Sequence, residues 1–214
     1  MEKRPEEYYG FKRPEMVFFL PAEYHRVLEV GCSKGEFGGN LKPGVEVWGI
    51  EPDPKAAAAA REKMNRVLVG AYDEVSGEIP ENYFDLVIAN DVIEHMPDHD
   101  EFFVSIQRKM ISGGRLVASV PNVRHWSILR ELVWFKDWRY TDAGILDRTH
   151  LRTFTGKSLK RALREHDFAI EKFKGINRME LKTKNLFPYF LRLATLGYYR
   201  DILYYQFGLC VRKK

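Results

Sequence analysis

Hydrophobic positions along the chain fall into two regimes. Five short runs, RVLEV (26–30), VEVWGI (45–50), RVLVG (66–70), FDLVIAN (84–90) and GRLVASV (114–120), are rich in Val, Ile and Leu and nearly continuous. Such runs predict parallel strands buried on both faces. Between them the period lengthens. Residues 54–64 begin with proline in the first turn and continue as KAAAAAREKM, and residues 101–110 bring Phe102, Phe103, Ile106 and Met110 onto one helical face. Strands alternating with helices require right-handed crossovers, so the predicted fold is α/β with a doubly wound, Rossmann-like sheet.

The second half is less regular. Residues 124–135 read as a short amphipathic helix and 140–151 as a long loop. Thr155 caps the helix GKSLKRALREHD, which leads into a strand at AIEKFKGI. A final strand is predicted near YYQFGLCVRK (204–213). With no internal repeat and no convincing linker, residues 1–214 read as one domain.

Composition narrows the class. A chain of 214 residues with 45% apolar content has enough material for one full core. Its two cysteines, Cys32 and Cys210, lack CxxC spacing, which argues against a disulfide framework or a zinc ribbon and fits a reducing cytoplasm. The charged N-terminus reads as no signal peptide, and Arg192, Arg200 and Asp201 interrupt the greasy stretch 186–205, so a cytoplasmic protein without a membrane span is expected. Charge is uneven. Residues 1–150 hold 19 Lys and Arg against 25 Asp and Glu, whereas 151–214 hold 15 against 5. That basic end suits an anionic acceptor, lipid headgroups or nucleic acid, or is simply a solvated face.

The stretch RVLEVGCSKGEF (26–37) reads as a strand, a glycine-marked turn and a helix. Ligands of open α/β sheets bind beyond the carboxyl ends of the strands, so this turn is the candidate cofactor site. A phosphate-binding GxxxxGK[ST] loop is absent, and a dinucleotide loop would need glycine where Ser33 stands. Glu29 and Glu36 flank the turn and would repel a pyrophosphate. S-adenosylmethionine carries a sulfonium and an ammonium, which those carboxylates attract. Glu51, 20 residues after Gly31, ends the second strand where a carboxylate can accept both ribose hydroxyls.

The chain resembles the class I S-adenosylmethionine-dependent methyltransferases at four motifs in order: VLEVGCSKGEFG, VEVWGIEPDP, YFDLVIANDVIEHMPD and MISGGRLVASVPN. The resemblance implies seven strands in the order 3-2-1-4-5-7-6, with strand 7 antiparallel. It also implies that Glu29, Gly31, Cys32 and Gly35 line the methionine half of the donor and that Glu51 holds the ribose. Pro52 and Tyr72 or Asp73 then lie near the adenine, with Asn90 closing the pocket. Two positions depart from the family pattern: Ser33 replaces the middle glycine, and Ala71 stands where an aspartate often meets the adenine amine.

Methyl transfer is an in-line displacement, leaving the protein to align the acceptor and take its proton. If residues 91–95 form a helical turn, Asp91, Glu94 and His95 share one face. With His150 from the later DRTHLRTFT, they resemble the E-x-x-E-H sites of metal-assisted O-methyltransferases of the ubiquinone and small-RNA types. That implies Mg2+ or another divalent cation at Asp91, Glu94, His95 and His150. The alternative makes Asp91, His95 and His150 plain catalytic groups. Residues 121–154 form the expected acceptor-pocket insertion, with Arg124, His125, Trp126 and Arg148 as candidate contacts, and Tyr9 belongs to an expected N-terminal lid (1–22).

The leading expectation is O-methylation of a glycan, glycan precursor or similar small molecule, releasing S-adenosylhomocysteine. An RNA 2′-O-methyltransferase, a quinone-type enzyme and an inactive donor-binding module are the alternatives. Nucleic acid is the less expected partner for want of a recognisable RNA-binding module. Within the variable segment 176–204, residues 183–204 suit a dimer surface, a peripheral membrane contact or a lid, so a monomer and a homodimer both stay open.

Overall fold

The computed structural model describes residues 12–180 and 186–214. Seven strands form one sheet in the order β3-β2-β1-β4-β5-β7-β6. They are β1 (Arg26–Val30), β2 (Glu46–Glu51), β3 (Arg66–Val69), β4 (Phe84–Asn90), β5 (Met110–Pro121), β6 (Phe168–Arg178) and β7 (Tyr204–Lys213). The first five pair in parallel, and β7 enters antiparallel between β5 and β6. Strand order therefore reverses between β1 and β4, whose carboxyl ends carry Gly31 and Asp91.

The nearly continuous apolar runs reflect burial on both faces. Leu28, Val87 and Leu116 pack on one side with Phe102, Phe103, Leu159 and Phe207. Their chain neighbours Val27, Leu86 and Val117 pack on the other with Met16, Phe19, Ala57 and Ala60. Residues 14–19, inside the expected N-terminal lid, thus contribute to this second core layer, while Tyr9 lies outside the described residues. Phe19 lies over β7 at Gly208, where a Cβ would stand 2.4 Å from its ring. Only glycine fits there.

Helices follow their caps. Asp53 accepts hydrogen bonds from the amides of Lys55 and Ala56 to open α1 (Pro54–Ala60), and α2 (Tyr72–Val75) is a single turn. Asp98 opens α3 (His99–Lys109), His125 opens α4 (Trp126–Arg130), and Thr155 opens α5 (Gly156–Glu165). The last helix, α6, spans Leu186–Ala194. Boundaries differ from expectation in several places: β5 begins at Met110, and the helix expected over 124–135 is α4 followed by a π-helical stretch over Glu131–Phe135. The α1 helix gives way to turns after Ala60, and the glycine turn leads into a 3-10 helix over Glu36–Asn40 rather than an α-helix. Gly38 and Gly39 inside that stretch each weaken an α-helix by about 1 kcal/mol, which favours the tighter, shorter form.

Candidate active site

The turn after β1 is held by its backbone. The amides of Gly31 and Cys32 donate to the Ile50 carbonyl at 2.8 and 3.0 Å, tying the turn to β2. Gly31 and Gly35 adopt left-handed φ angles of 70° and 73°. A Cβ on Gly31 would lie 2.9 Å from Val92 Cγ2, so the turn passes close to the loop after β4. Ser33 is left-handed as well, at φ 51°, a conformation that costs a non-glycine residue roughly 1–2 kcal/mol. Its amide donates to Glu51 Oε2 at 2.8 Å, while the Asp53 amide donates to Oε1 at 3.0 Å. Glu51 is thereby fixed at the mouth of the turn.

Glu29 lies behind it and is buried, with no hydrogen-bond partner for Oε2. Desolvation, reinforced by the nearby charge of Glu51, pushes its carboxyl up to about 8. Two buried acids that disfavour each other's charge leave this pocket in need of a cation. The sulfonium and ammonium of S-adenosylmethionine meet that need, and a pyrophosphate would worsen it. Asn90, at the end of β4, also fits a polar ligand because both its amide atoms are buried without partners.

The other expected donor contacts are placed less uniformly. Cys32 turns its thiol into the core, where a Cβ on Gly49 would come within 2.6 Å of the sulfur, so only its backbone faces the turn. Tyr72 is buried against Phe102, and its hydroxyl shares a hydrogen bond of 2.9 Å with Ser105. Pro52 and Asp73 are exposed.

A second group forms at the loop after β4. The carbonyl of Glu94 accepts the amides of Leu151 and Arg152 at 2.9 and 3.0 Å, which draws the 145–152 loop over it. The rings of His95 and His150 then meet edge to face, 4.8 Å between centroids. Each presents Nδ1 to a backbone carbonyl, His95 to Thr149 at 3.0 Å and His150 to Ile145 at 2.9 Å. A carbonyl only accepts, so Nδ1 is the donor in both rings. His150 Nε2 stands 4.0 Å from Glu94 Oε1. Glu94 is 1% exposed, and neither of its oxygens has a hydrogen-bond partner. Burial, with Asp91 and Asp147 nearby, raises its carboxyl well above the usual range.

Asp91 does not join this group, contrary to the expectation of a shared helical face. Its φ is 55°, and the 3-10 turn begins only at Ile93, so the assumed helical turn over residues 91–95 does not form. The Asp91 carboxylate instead binds Arg13, Gln206 and, at 3.0 Å, the Ser119 hydroxyl. Among the described residues, the ligand atoms that converge are those of Glu94, His95 and His150, all within 4.8 Å of one another.

The expected acceptor contacts also separate. Arg124 pairs with Asp201 at 3.1 Å, and His125 is buried as the cap of α4, where desolvation lowers its imidazole to about 4. Arg148 is exposed and paired with Asp142 at 2.9 Å. Trp126 lies against Phe187 of α6, 5.2 Å between ring centroids. Arg13 was not foreseen. It reaches from the N-terminal segment across the ends of β4 and β5 to Asp91 and Ser119, and no periodicity or motif in its charged surroundings marks it.

Comparison with known proteins decides the family. Residues 4–172 match the methyltransferase domain. The chain belongs to the methyltransferase domain family. This methyltransferase shares its fold with solved S-adenosylmethionine-dependent methyltransferases, and the acidic pocket behind Gly31 suits that donor. It is 33% identical over 124 residues to a probable S-adenosylmethionine-dependent methyltransferase of Mycolicibacterium smegmatis, covering 55% of this chain and 47% of that one. It is 25% identical over 138 residues to trans-aconitate 2-methyltransferase of Streptomyces coelicolor, covering 59% of this chain and 46% of that protein. The chain spans about half the length of these curated relatives. Among solved structures, an S-adenosylmethionine-dependent methyltransferase from Mesorhizobium loti superposes with a TM-score of 0.64 at 19% identity, covering 94% of this chain and 96% of that one. One from Archaeoglobus fulgidus gives the same score and identity over 88% and 86%. Among the described residues, no helix of the methyltransferase is long and apolar enough to cross a membrane.

Proposed function

We propose that this methyltransferase methylates a hydroxyl on a glycan, glycan precursor or similar small molecule, with the His95–His150 pair receiving the hydroxyl proton. The observation that carries the reading is the pair itself: two imidazoles meeting edge to face beside the buried carboxyl of Glu94 at the sheet's carboxyl edge. A hydroxyl must lose a proton as its oxygen attacks the methyl carbon. A carboxylate acceptor, as the name trans-aconitate 2-methyltransferase suggests for relatives, is already ionised near neutral pH and needs no such base. In this account Glu29 and the turn from Gly31 to Gly35 hold the methionine half of the donor. Glu51 accepts the ribose hydroxyls, and Asn90 closes the pocket. Tyr72 has given its hydroxyl to Ser105, which leaves Pro52 and Asp73 for the adenine.

The acceptor oxygen attacks, the carbon–sulfur bond breaks with its electrons going to sulfur, and the hydroxyl proton passes to an imidazole nitrogen. S-adenosylhomocysteine leaves without the sulfonium charge that Glu29 and Glu51 favour. Product release is weaker binding of the same pocket.

A second reading gives Glu94, His95 and His150 to a divalent cation, favoured by the unpartnered oxygens of Glu94. Their ligand atoms lie within 4.8 Å of one another, so the three side chains would have to draw closer to share one ion. Methyl transfer to a panel of sugars, polyols, tricarboxylates and short RNAs, with and without chelator, tests both. Transfer to hydroxyl-bearing small molecules that survives chelation supports the imidazole base, and loss in chelator restored by Mg2+ supports the cation. Transfer to tricarboxylates alone contradicts both.

A further inference from the structure

Trp126 brings two exposed apolar segments together. The π-helical stretch Glu131–Phe135 follows α4, and Trp134 lies against Phe187 of α6, 5.8 Å between ring centroids. Around this contact, Leu132, Val133, Trp134 and Phe135 on one segment and Leu186, Phe187, Phe190 and Leu193 on the other are exposed. Leu196 and Tyr198 extend the face at 98% and 79% exposure. Scattered apolar residues need no explanation, but eight on two touching elements, with two more just beyond α6, do.

Charge selects the occupant. Residues 186–200 contain no Asp or Glu but hold Arg192 and Arg200, both exposed, and Lys136 ends the other apolar run. Among the described residues, none of these three cations is in an ion pair. A second copy of this chain would set cation against cation across the contact. A bilayer with anionic headgroups offers apolar depth for the rings and Leu side chains and negative charge for the rim, and α6 has the amphipathic composition of a helix lying in an interface plane.

We propose that the face formed by α6 and residues 132–136 binds the surface of an anionic phospholipid membrane. It borders Trp126 of the acceptor-pocket insertion, so an amphiphilic acceptor would reach the methyltransferase from the lipid side. The membrane surface itself does not depend on the acceptor reading above.

The test is co-sedimentation of the whole protein with vesicles of phosphatidylcholine alone and of phosphatidylcholine with phosphatidylglycerol. The expected result is binding to the phosphatidylglycerol vesicles, weakened by salt and reduced at least ~10-fold in the triple variant Val133→Ser, Phe190→Ser, Leu193→Ser. Arg192→Glu should weaken binding to the anionic vesicles alone. All four side chains are exposed, so the variants should keep the wild-type melting temperature and S-adenosylmethionine affinity. Absence of vesicle binding by the wild type overturns the proposal, as does equal binding by the triple variant. A wild-type dimer that the triple variant turns into a monomer would overturn it in favour of a second copy.

Discussion

Glu29 and Glu51 share one buried pocket at the carboxyl end of β1 and β2, and the charge of Glu51 adds to the burial that holds the Glu29 carboxyl near 8. Glu51 spends its oxygens on two backbone amides, whereas Glu29 Oε2 has no partner. The pocket is thus built to gain by taking up positive charge.

That arrangement fixes a pH dependence. The folded protein holds the Glu29 proton up to about pH 8, while the unfolded chain releases it near its ordinary value of 4.5. Stability of the donor-free protein should therefore be highest below that ordinary value and fall as pH rises toward 8, then level off. Glu29→Gln should remove this part of the fall while weakening S-adenosylmethionine binding. Denaturant unfolding at several pH values, with and without donor, measures both effects. A variant with the wild-type slope would contradict the assignment.

Two of the turn's three left-handed residues, Gly31 and Ser33, should respond differently. Gly31→Ala places a Cβ 2.9 Å from Val92 at a φ of 70°, so it should cost roughly 1–3 kcal/mol and weaken donor binding at least ~10-fold. Ser33→Gly relieves strain but loosens the unfolded chain, two effects of about 1 kcal/mol that oppose each other. Its stability should stay within about 1 kcal/mol of the wild type, with donor affinity kept. Chemical denaturation paired with calorimetric titration reads out each variant.

His150→Asn removes the imidazole beside Glu94 and should lower kcat ~10²–10⁴-fold with little change in donor affinity. Asn places its amide nitrogen where Nδ1 meets the Ile145 carbonyl, so it keeps that contact while removing Nε2, and His150→Gln, with an amide near Nε2 but no imidazole, should not restore the rate. Single-turnover methyl transfer at saturating donor measures the loss, and a rate close to the wild type would contradict the role.

Arg13 and Asp91 offer a cycle. Both side chains are largely buried, and Arg13 also reaches Ser119 at 3.0 Å. Arg13→Ala should destabilise more in the wild type than in an Asp91→Asn background, with a coupling of about 1–3 kcal/mol by thermal or denaturant unfolding. Simple additivity would mean that the pair contributes nothing specific.

The sheet was legible because burial on both faces writes itself into the chain as unbroken Val, Ile and Leu, and β6 and β7 followed from short runs after the Thr155 cap. The turn after β1 was legible for a different reason: its shape follows from Gly31 and Gly35 at left-handed φ angles, and its charge from Glu29 and Glu51. Asp91 was misplaced because a single left-handed residue moves its side chain off the expected face, and nothing in IANDVIEH announces that φ. Arg13 was invisible because its partners lie 78 and 106 residues away. The acceptor side was least legible. Arg124 and His125 look like ligand contacts in sequence, yet one is committed to Asp201 and the other to capping α4.

The claim at the centre of the account is that the buried acids behind Gly31 receive a cationic methyl donor. Calorimetric titration of the wild type with S-adenosylmethionine and with NAD, at pH 7 in two buffers of different ionisation enthalpy, tests it most directly. S-adenosylmethionine should bind with release of a fraction of a proton as Glu29 ionises, that release should vanish in Glu29→Gln, and NAD should not bind. Binding of NAD in preference to S-adenosylmethionine, or donor binding with no linked proton, would contradict it.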